Sequence, residues 1–106
     1  MTAPRPIAAL RHRLRLDRSS LAADGSTVWV AIDTVFAAIE PLGVGESEAG
    51  GGLTGRVSHR IETRWRADVT SRDRLVAGTR IFRIVAVRDL DERRRRLVIH
   101  AEEEAR

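Results

Sequence analysis

The segment Arg80–Glu103, RIFRIVAVRDLDERRRRLVIHAEE, decides the fold. Apolar and polar residues alternate along its first part, Arg80–Arg88, and again along its last part, Arg94–Glu103. An alternation with a period of two residues is typical of a β-strand that buries one face. Between the two parts, Asp89–Arg93 predicts a tight hairpin loop. The segment therefore predicts two consecutive antiparallel strands.

Two segments nearer the N-terminus carry the same alternation. In Arg56–Ala67 one face holds the apolar side chains together with His59, and the opposite face holds arginines with Glu62. We expect this second face to be solvated, because its charges are of both signs. In Leu10–Leu16 leucines alternate with arginines. Both segments predict strands with one buried and one exposed face.

The segment Thr27–Glu40, TVWVAIDTVFAAIE, is rich in β-branched and aromatic residues and is apolar on both faces. This composition predicts a strand that is buried on both sides or carries a bulge. For Val35–Glu40 a helix is the competing interpretation, and in either case Pro41 is expected to end the element.

Three further segments are predicted to lack regular strands. Leu42–Gly55, LGVGESEAGGGLTG, is glycine-rich, so ordering it costs much backbone entropy and we expect a long mobile loop. Asp68–Gly78 is predicted to be a connection in which Thr70, Ser71 and Asp73 cap one helical turn. Residues 1–9 contain two prolines and no pattern, which indicates a flexible arm.

The connections between these strands are too short for crossover helices, which excludes a doubly wound α/β fold. The sequence predicts an all-β domain over residues 10–104. Its expected architecture is a small antiparallel β-barrel or sandwich of about five to six strands, with residues 42–55 as the long loop and at most one short helical turn.

Composition excludes several classes of function. The 106 residues suffice for one domain, and the absence of cysteine excludes disulfides and thiolate metal sites. All 19 basic residues are arginine, but 15 acids reduce the net charge to +4, which is weak support for nucleic-acid binding. No apolar run approaches the ~20 residues of a membrane span, and no signal peptide is apparent. We therefore expect synthesis in the cytoplasm.

No motif predicts catalysis, a cofactor or a metal. His12, His59 and His100 fall in strand patterns without a metal-ligand spacing, and no serine lies in a nucleophile elbow. The acids of Asp89–Glu92 lack the glycine and distal glutamate of a calcium loop. The triple glycine Gly50–Gly52 precedes a strand rather than a helix, so it lacks the dipole that binds phosphate.

Other residues allow two interpretations. Trp29 and Trp65 are more typical of core or interface anchors than of base-stacking platforms. The run Arg93–Arg96 is either a solvated strand start or a contact for phosphate or an acidic partner, and strand alternation sends its side chains to opposite faces.

Taken in order, these features resemble the phage head–tail joining family, also called head-closure or stopper proteins. The resemblance covers residues 10–104 and includes Ala37–Leu42 (AAIEPL) and Ser58–Val69 (SHRIETRWRADV). It is most specific over the second half of the chain, at His59, Ile61, Arg64, Trp65, Arg66, Phe82, Ile84, Val87, Asp89, Arg93, Leu97 and Glu102. The chain departs from the pattern at Trp65, usually tyrosine in the family, and at Phe36, often tryptophan.

The resemblance implies a structural, non-enzymatic virion component without cofactors. It implies a homo-oligomeric ring in the neck, sixfold or secondarily twelvefold, with the portal or adaptor above, the tail terminator below, and DNA passing through without sequence-specific binding. The expected channel or ring-contact loop comprises Gly43, Glu46, Glu48, Gly50, Gly51 and Gly52. The expected interface or core anchors are Trp29, Trp65, Arg64, Arg66 and Phe82.

Three alternatives stay open at this point. Within the family, the alternative to a stopper is an adaptor directly under the portal, or a terminator. The kind of particle is also open: a phage, a prophage product or a gene transfer agent. Outside the family, the alternative is a small-barrel nucleic-acid-binding module, which predicts strongly salt-dependent binding.

Overall fold

The computed structural model describes residues 4–45 and 56–104, with only the backbone for residues 43–45 and 56. A 3-10 turn, Ile7–Ala9, precedes six antiparallel strands that close into a barrel in the order β1-β2-β3-β6-β5-β4. The strands are β1 His12–Leu21, β2 Thr27–Gly45, β3 Arg56–Arg64, β4 Asp73–Ala77, β5 Arg80–Asp89 and β6 Arg96–Glu103. The predicted all-β class, the antiparallel barrel and the limit of at most one short helical turn are confirmed, although the turn lies at Ile7–Ala9 and not in Asp68–Gly78.

The core fills the inside of the barrel with the alternate residues of its strands. Every strand contributes, because side chains alternate between the two faces of a strand and every second one points into the barrel. The cluster comprises Leu14, Leu16, Val35, Ala37, Ile61, Val69, Leu75, Phe82, Ile84, Leu97, Ile99 and Ala101. The predicted inward faces of the first, third and last strands are therefore confirmed for their apolar residues, although His12 is exposed.

Strand β2 differs from its prediction at both ends. Its first part is exposed on both faces rather than buried, and no helix forms over Val35–Glu40. The predicted bulge is present: Leu16 lies opposite Asp33 and Asp17 opposite Ala31, so Ile32 is the extra residue. A bulge sends neighbouring side chains to altered directions and increases the local twist.

Pro41 does not end β2, contrary to the expectation. The strand continues to Gly45 and pairs with β3, with a register shift between Pro41 and Gly43. Beyond Ala37, β2 no longer pairs with β1. A proline is tolerated there because an edge or bulge position does not need the missing N–H.

Strand β4 lies where the sequence predicted a connection with a capped turn. It pairs with β1 from Asp73 to Val76 and with β5 from Arg74 to Ala77, so it closes the barrel. Thr70 does form a turn with Asp73, whose carboxylate accepts the Thr70 N–H at 2.9 Å, but no helix follows it.

Candidate functional site

The glycine-rich segment is carried on a two-stranded stem at one end of the barrel. Gly43–Gly45 pair with Arg56–Ser58, and Gly45 lies directly opposite Arg56. The two strands that flank residues 46–55 therefore end at neighbouring positions. Of the predicted loop residues, Gly43 lies within this stem, whereas Glu46, Glu48, Gly50, Gly51 and Gly52 lie outside the described residues.

Two buried rings and a more exposed ion pair lie together near this stem. His59 is buried, with its Nε2 3.6 Å from Glu103 and its ring edge-on to Phe82 at 5.1 Å between centroids. Arg80 donates to Glu103 at 2.9 Å and covers the Phe82 ring at 4.9 Å. The Arg80 guanidinium holds the pKa of Glu103 below its usual range. Phe82 itself is fully buried in the core.

The indole of Trp29 lies on the outside of the β1–β2 hairpin. It is 37% exposed, and the guanidinium of Arg74 lies over it at 4.4 Å from the ring centroid. Arg74 also donates one bond to Asp17 at 3.0 Å, and Asp17 accepts two more bonds from Arg15. Trp29 therefore rests on a charged network instead of entering the barrel core.

Trp65 and Arg64 lie where β2 and β3 separate. Trp65 is half-buried, packs against the core cluster, and its backbone N–H donates to the Arg95 carbonyl at 3.1 Å. Arg64 is exposed beside it. Both residues line an open cleft of about 500 Å³ whose other walls are Pro4, Ile7 and Arg94–Arg96.

Arg66 links β2 to the segment after β3. Its guanidinium donates to Asp68 at 2.9 Å and 3.0 Å and to Asp33 at 2.5 Å. These bonds lower the pKa of both carboxyl groups, the Arg66 guanidinium being the main cause in each case. The predicted anchor residues thus lie in separate places, with Trp65, Arg64 and Arg66 near one another and Trp29 and Phe82 elsewhere.

The residue that sequence reasoning missed is Glu62. It was expected on a solvated face but is fully buried, because residues 4–10 cover that part of the barrel. Its Oε2 accepts the backbone N–H of Arg5 at 2.9 Å and the guanidinium of Arg96 at 2.7 Å. Arg96 also donates to the Arg5 carbonyl at 2.6 Å, so the ion pair holds the N-terminal segment by its backbone.

Most arginines in the described ranges pair with acids. The pairing arginines are Arg5, Arg15, Arg18, Arg60, Arg66, Arg74, Arg80, Arg83, Arg95 and Arg96. Over residues 4–45 and 56–104, no three His, Asp or Glu side chains converge as metal ligands. The described part of the chain also contains no helix long and apolar enough to cross a membrane.

Comparisons with known proteins agree with this architecture. The sequence profile of the phage head completion protein family matches residues 5–104. A chain in the virion of a native gene transfer agent particle superposes with a TM-score of 0.77 at 25% identity, over 97% of this chain and 98% of that one. A solution structure of a Shigella flexneri 2a protein superposes with a TM-score of 0.63 at 26% identity, over 93% and 96%. No curated protein sequence matches the chain.

Proposed function

Since the chain belongs to the phage head completion protein family, we propose that it is the head–tail connector of its particle. In this role it forms a stopper or head-closure ring in the neck, between the portal or adaptor and the tail, and helps to retain DNA in the channel. It is made in the bacterial cytoplasm and joins the particle during assembly. The family supports the coarser statement that the chain is a structural component of phage-like particles.

The observation that carries the connector role is the stem of the glycine-rich segment. Because Gly45 and Arg56 are cross-strand partners, the two strands that flank residues 46–55 end side by side. Each copy in a ring would present this segment at the same height. Six or twelve such segments would then form one collar around a central channel.

The sequence of the segment suits a channel that passes DNA. Glu46 and Glu48 place two carboxylates in it, and carboxylates repel phosphate, so the collar does not grip the duplex. Because glycines make few packing contacts, little is lost when the segment changes conformation. This suits a segment that alternates between a blocked and an open channel.

The charge distribution supports a connector over a nucleic-acid-binding module. Nonspecific DNA affinity depends on arginines that are free to neutralise phosphates. In the described part of this chain most arginines are already paired with carboxylates, for example Arg66 with Asp33 and Asp68. The near absence of helix likewise favours a stopper over an adaptor, since adaptors of this kind are richer in helix.

The decisive experiment is electron microscopy of particles from a strain that lacks the gene. We expect separate tails together with heads that have lost their DNA, and joined particles again when the gene is restored in trans. Joined, DNA-filled particles in the deletion strain would refute the connector role.

The gating part of the proposal is tested by deleting Ala49–Gly52 and leaving the stem intact. We expect particles in which tails join but DNA leaks from the heads. A matched control exchanges the same four residues for a different Gly/Ala sequence of equal length, which should retain DNA. Equal DNA retention in the deletion and in the parent would remove gating and leave the joining role in place.

A further inference from the structure

The β1–β2 hairpin extends beyond the barrel as a free two-stranded ribbon. Strand β2 pairs with β1 from Thr27 to Ala37, but with β3 only from Ala37 onward. Strand β1 pairs with β4 only from Arg15 to Arg18. Among the described residues, Thr27–Phe36 therefore have a strand on one side alone, which leaves an open sheet edge.

The ribbon is apolar on its exposed surface. Val28 is 44% exposed, Val30 48%, and Ile32 at the bulge 37%. Their side chains lie outside the barrel core, next to the equally exposed Trp29 and Phe36. Exposed apolar side chains beside an open strand edge are typical of a protein interface.

A second open edge lies on the opposite side of the barrel. Strand β5 pairs with β4 only from Arg80 to Arg83, so within the described chain Ile84–Asp89 have β6 alone as a neighbour. Val85 is the bulged residue there, since Ile84 faces Ala101 and Ala86 faces His100, and its side chain is 48% exposed. In the barrel order β1-β2-β3-β6-β5-β4, strands β2 and β5 are three positions apart and so face opposite directions.

The two edges differ in the charged residues that they carry. Residues 19–55 contain no arginine, although the rest of the chain contains 19. The ribbon carries the acids Asp24 and Asp33, of which Asp33 is paired with Arg66. In strand β5, Arg80 and Arg83 pair with Glu103 and Glu102, so Arg88 is the arginine of the open part. Arg88 is exposed and has no ion pair with any described residue. Two ribbons pairing with each other would oppose acid to acid, which is unfavourable.

We propose that the ribbon of one copy docks on the β5 edge of the next copy, and that this head-to-tail contact builds the ring. Val28, Val30 and Ile32 cover the exposed Val85 region, and Asp24 approaches Arg88 of β5. Contacts between two different patches of a subunit build a ring when the rotation from one copy to the next closes, and an open filament when it does not. This inference rests on the proposed connector function and names the surface by which the ring assembles.

Disulfide cross-linking tests the contact directly, because the chain contains no cysteine. Double variants pair Val85→Cys with Val28→Cys, Val30→Cys or Ile32→Cys. The two sites lie on opposite sides of one barrel, too far apart to bridge within a chain. At about 1 mM chain, a concentration comparable to that within an assembled ring, oxidation should give a covalent ladder beyond the dimer.

Two controls define the outcomes. The pair Val30→Cys with Ser71→Cys, an exposed position in the turn before β4, should give no ladder, and Val30→Cys alone should stay monomeric. The proposal is wrong if no Val85 double variant exceeds the Ser71 control, or if Val30→Cys alone forms dimers with equal yield. If no ladder forms but the deletion strain gives separate heads and tails, only this contact is refuted. If a ladder forms but the deletion strain gives joined particles, only the connector role is refuted.

Discussion

The carboxylate of Glu62 is held by groups far from it in sequence, the backbone N–H of Arg5 and the guanidinium of Arg96. Both side chains of the ion pair are almost entirely removed from solvent. Removing one member of such a pair leaves the other charge buried and uncompensated, which costs more than the pair itself contributes. The pair therefore matters most for fixing where residues 4–10 lie on the barrel.

We expect Glu62→Ala to lower the free energy of unfolding by about 3 kcal/mol. Chemical denaturation measured by tryptophan fluorescence provides the value. Glu104→Ala, which removes an exposed carboxylate, should change it by less than about 0.5 kcal/mol. Equal effects of the two substitutions would mean that residues 4–10 do not seal Glu62 from water in solution.

The burial of Glu62 was not predictable from the alternation of Arg56–Ala67. That pattern assigns a residue to one face of a strand, and it assigned Glu62 correctly to the face outside the barrel. Whether that face meets solvent depends on a segment 57 residues away in the chain. By contrast, the inward face of the same strand could be predicted, because only local periodicity decides it.

The turn between β5 and β6 stores backbone strain at Glu92 and Arg94, which have φ angles of 59° and 56°. A side chain in this left-handed region costs about 1–2 kcal/mol. The turn persists because Asp89 accepts the Arg94 N–H at 2.9 Å and Asp91 accepts the Arg93 N–H at 3.1 Å.

Substitutions at Glu92 should therefore raise or lower stability according to how readily the new residue adopts a positive φ. Glu92→Gly should raise the thermal midpoint by relieving about 0.5 kcal/mol of strain, whereas the β-branched Glu92→Val should lower it. Thermal unfolding followed by circular dichroism distinguishes the two. Identical midpoints for both variants would contradict a left-handed residue at this position.

At the scale of elements, the barrel closes through its shortest strand. The five residues of β4 bridge β1 and β5, and Leu75 of this strand is fully buried in the core. Its sequence, DRLVA, is too short to display a convincing period and follows a turn, so the sequence indicated only a connection. The long strands β3, β5 and β6 alternate over enough residues to be predicted.

Leu75→Ala tests whether β4 belongs to the barrel in solution. Removal of a buried leucine side chain should cost about 3 kcal/mol, measured by chemical denaturation. Arg72→Ala, an exposed residue one position before the strand, serves as the matched control and should cost less than about 0.5 kcal/mol. If Leu75→Ala is as mild as its control, the segment is a surface connection.

At the scale of the whole molecule, ion pairs join neighbouring strands around the barrel. Asp17 of β1 pairs with Arg74 of β4, and Glu103 of β6 pairs with Arg80 of β5. Hydrogen bonds from arginines hold the pKa of both carboxyl groups below the usual range. The main cause is Arg15 at Asp17 and Arg80 at Glu103. The barrel therefore binds fewer protons than the unfolded chain in mildly acidic solution.

This linkage predicts acid-induced loss of stability with a defined sign. A carboxyl group whose pKa is lowered on folding stabilises the fold above its unfolded pKa, about 4. That contribution disappears as the pH falls from about 4 through the lower folded pKa. We expect the free energy of unfolding to be nearly constant between pH 6 and pH 7 and to decline steeply below about pH 4.

Asp17→Asn measures how much the carboxylate that joins β1 to β4 contributes to the free energy of unfolding. At pH 7 the variant should be less stable by roughly 1–2 kcal/mol, since a charge-assisted pair with partly exposed arginines is lost. Because the asparagine does not titrate, the difference from the parent should shrink as the pH falls below about 4. Denaturant unfolding at a series of pH values gives both curves. Parallel curves would show that Asp17 has the same pKa in the folded and unfolded chain, so that its bonds to Arg15 and Arg74 contribute nothing to closing the barrel.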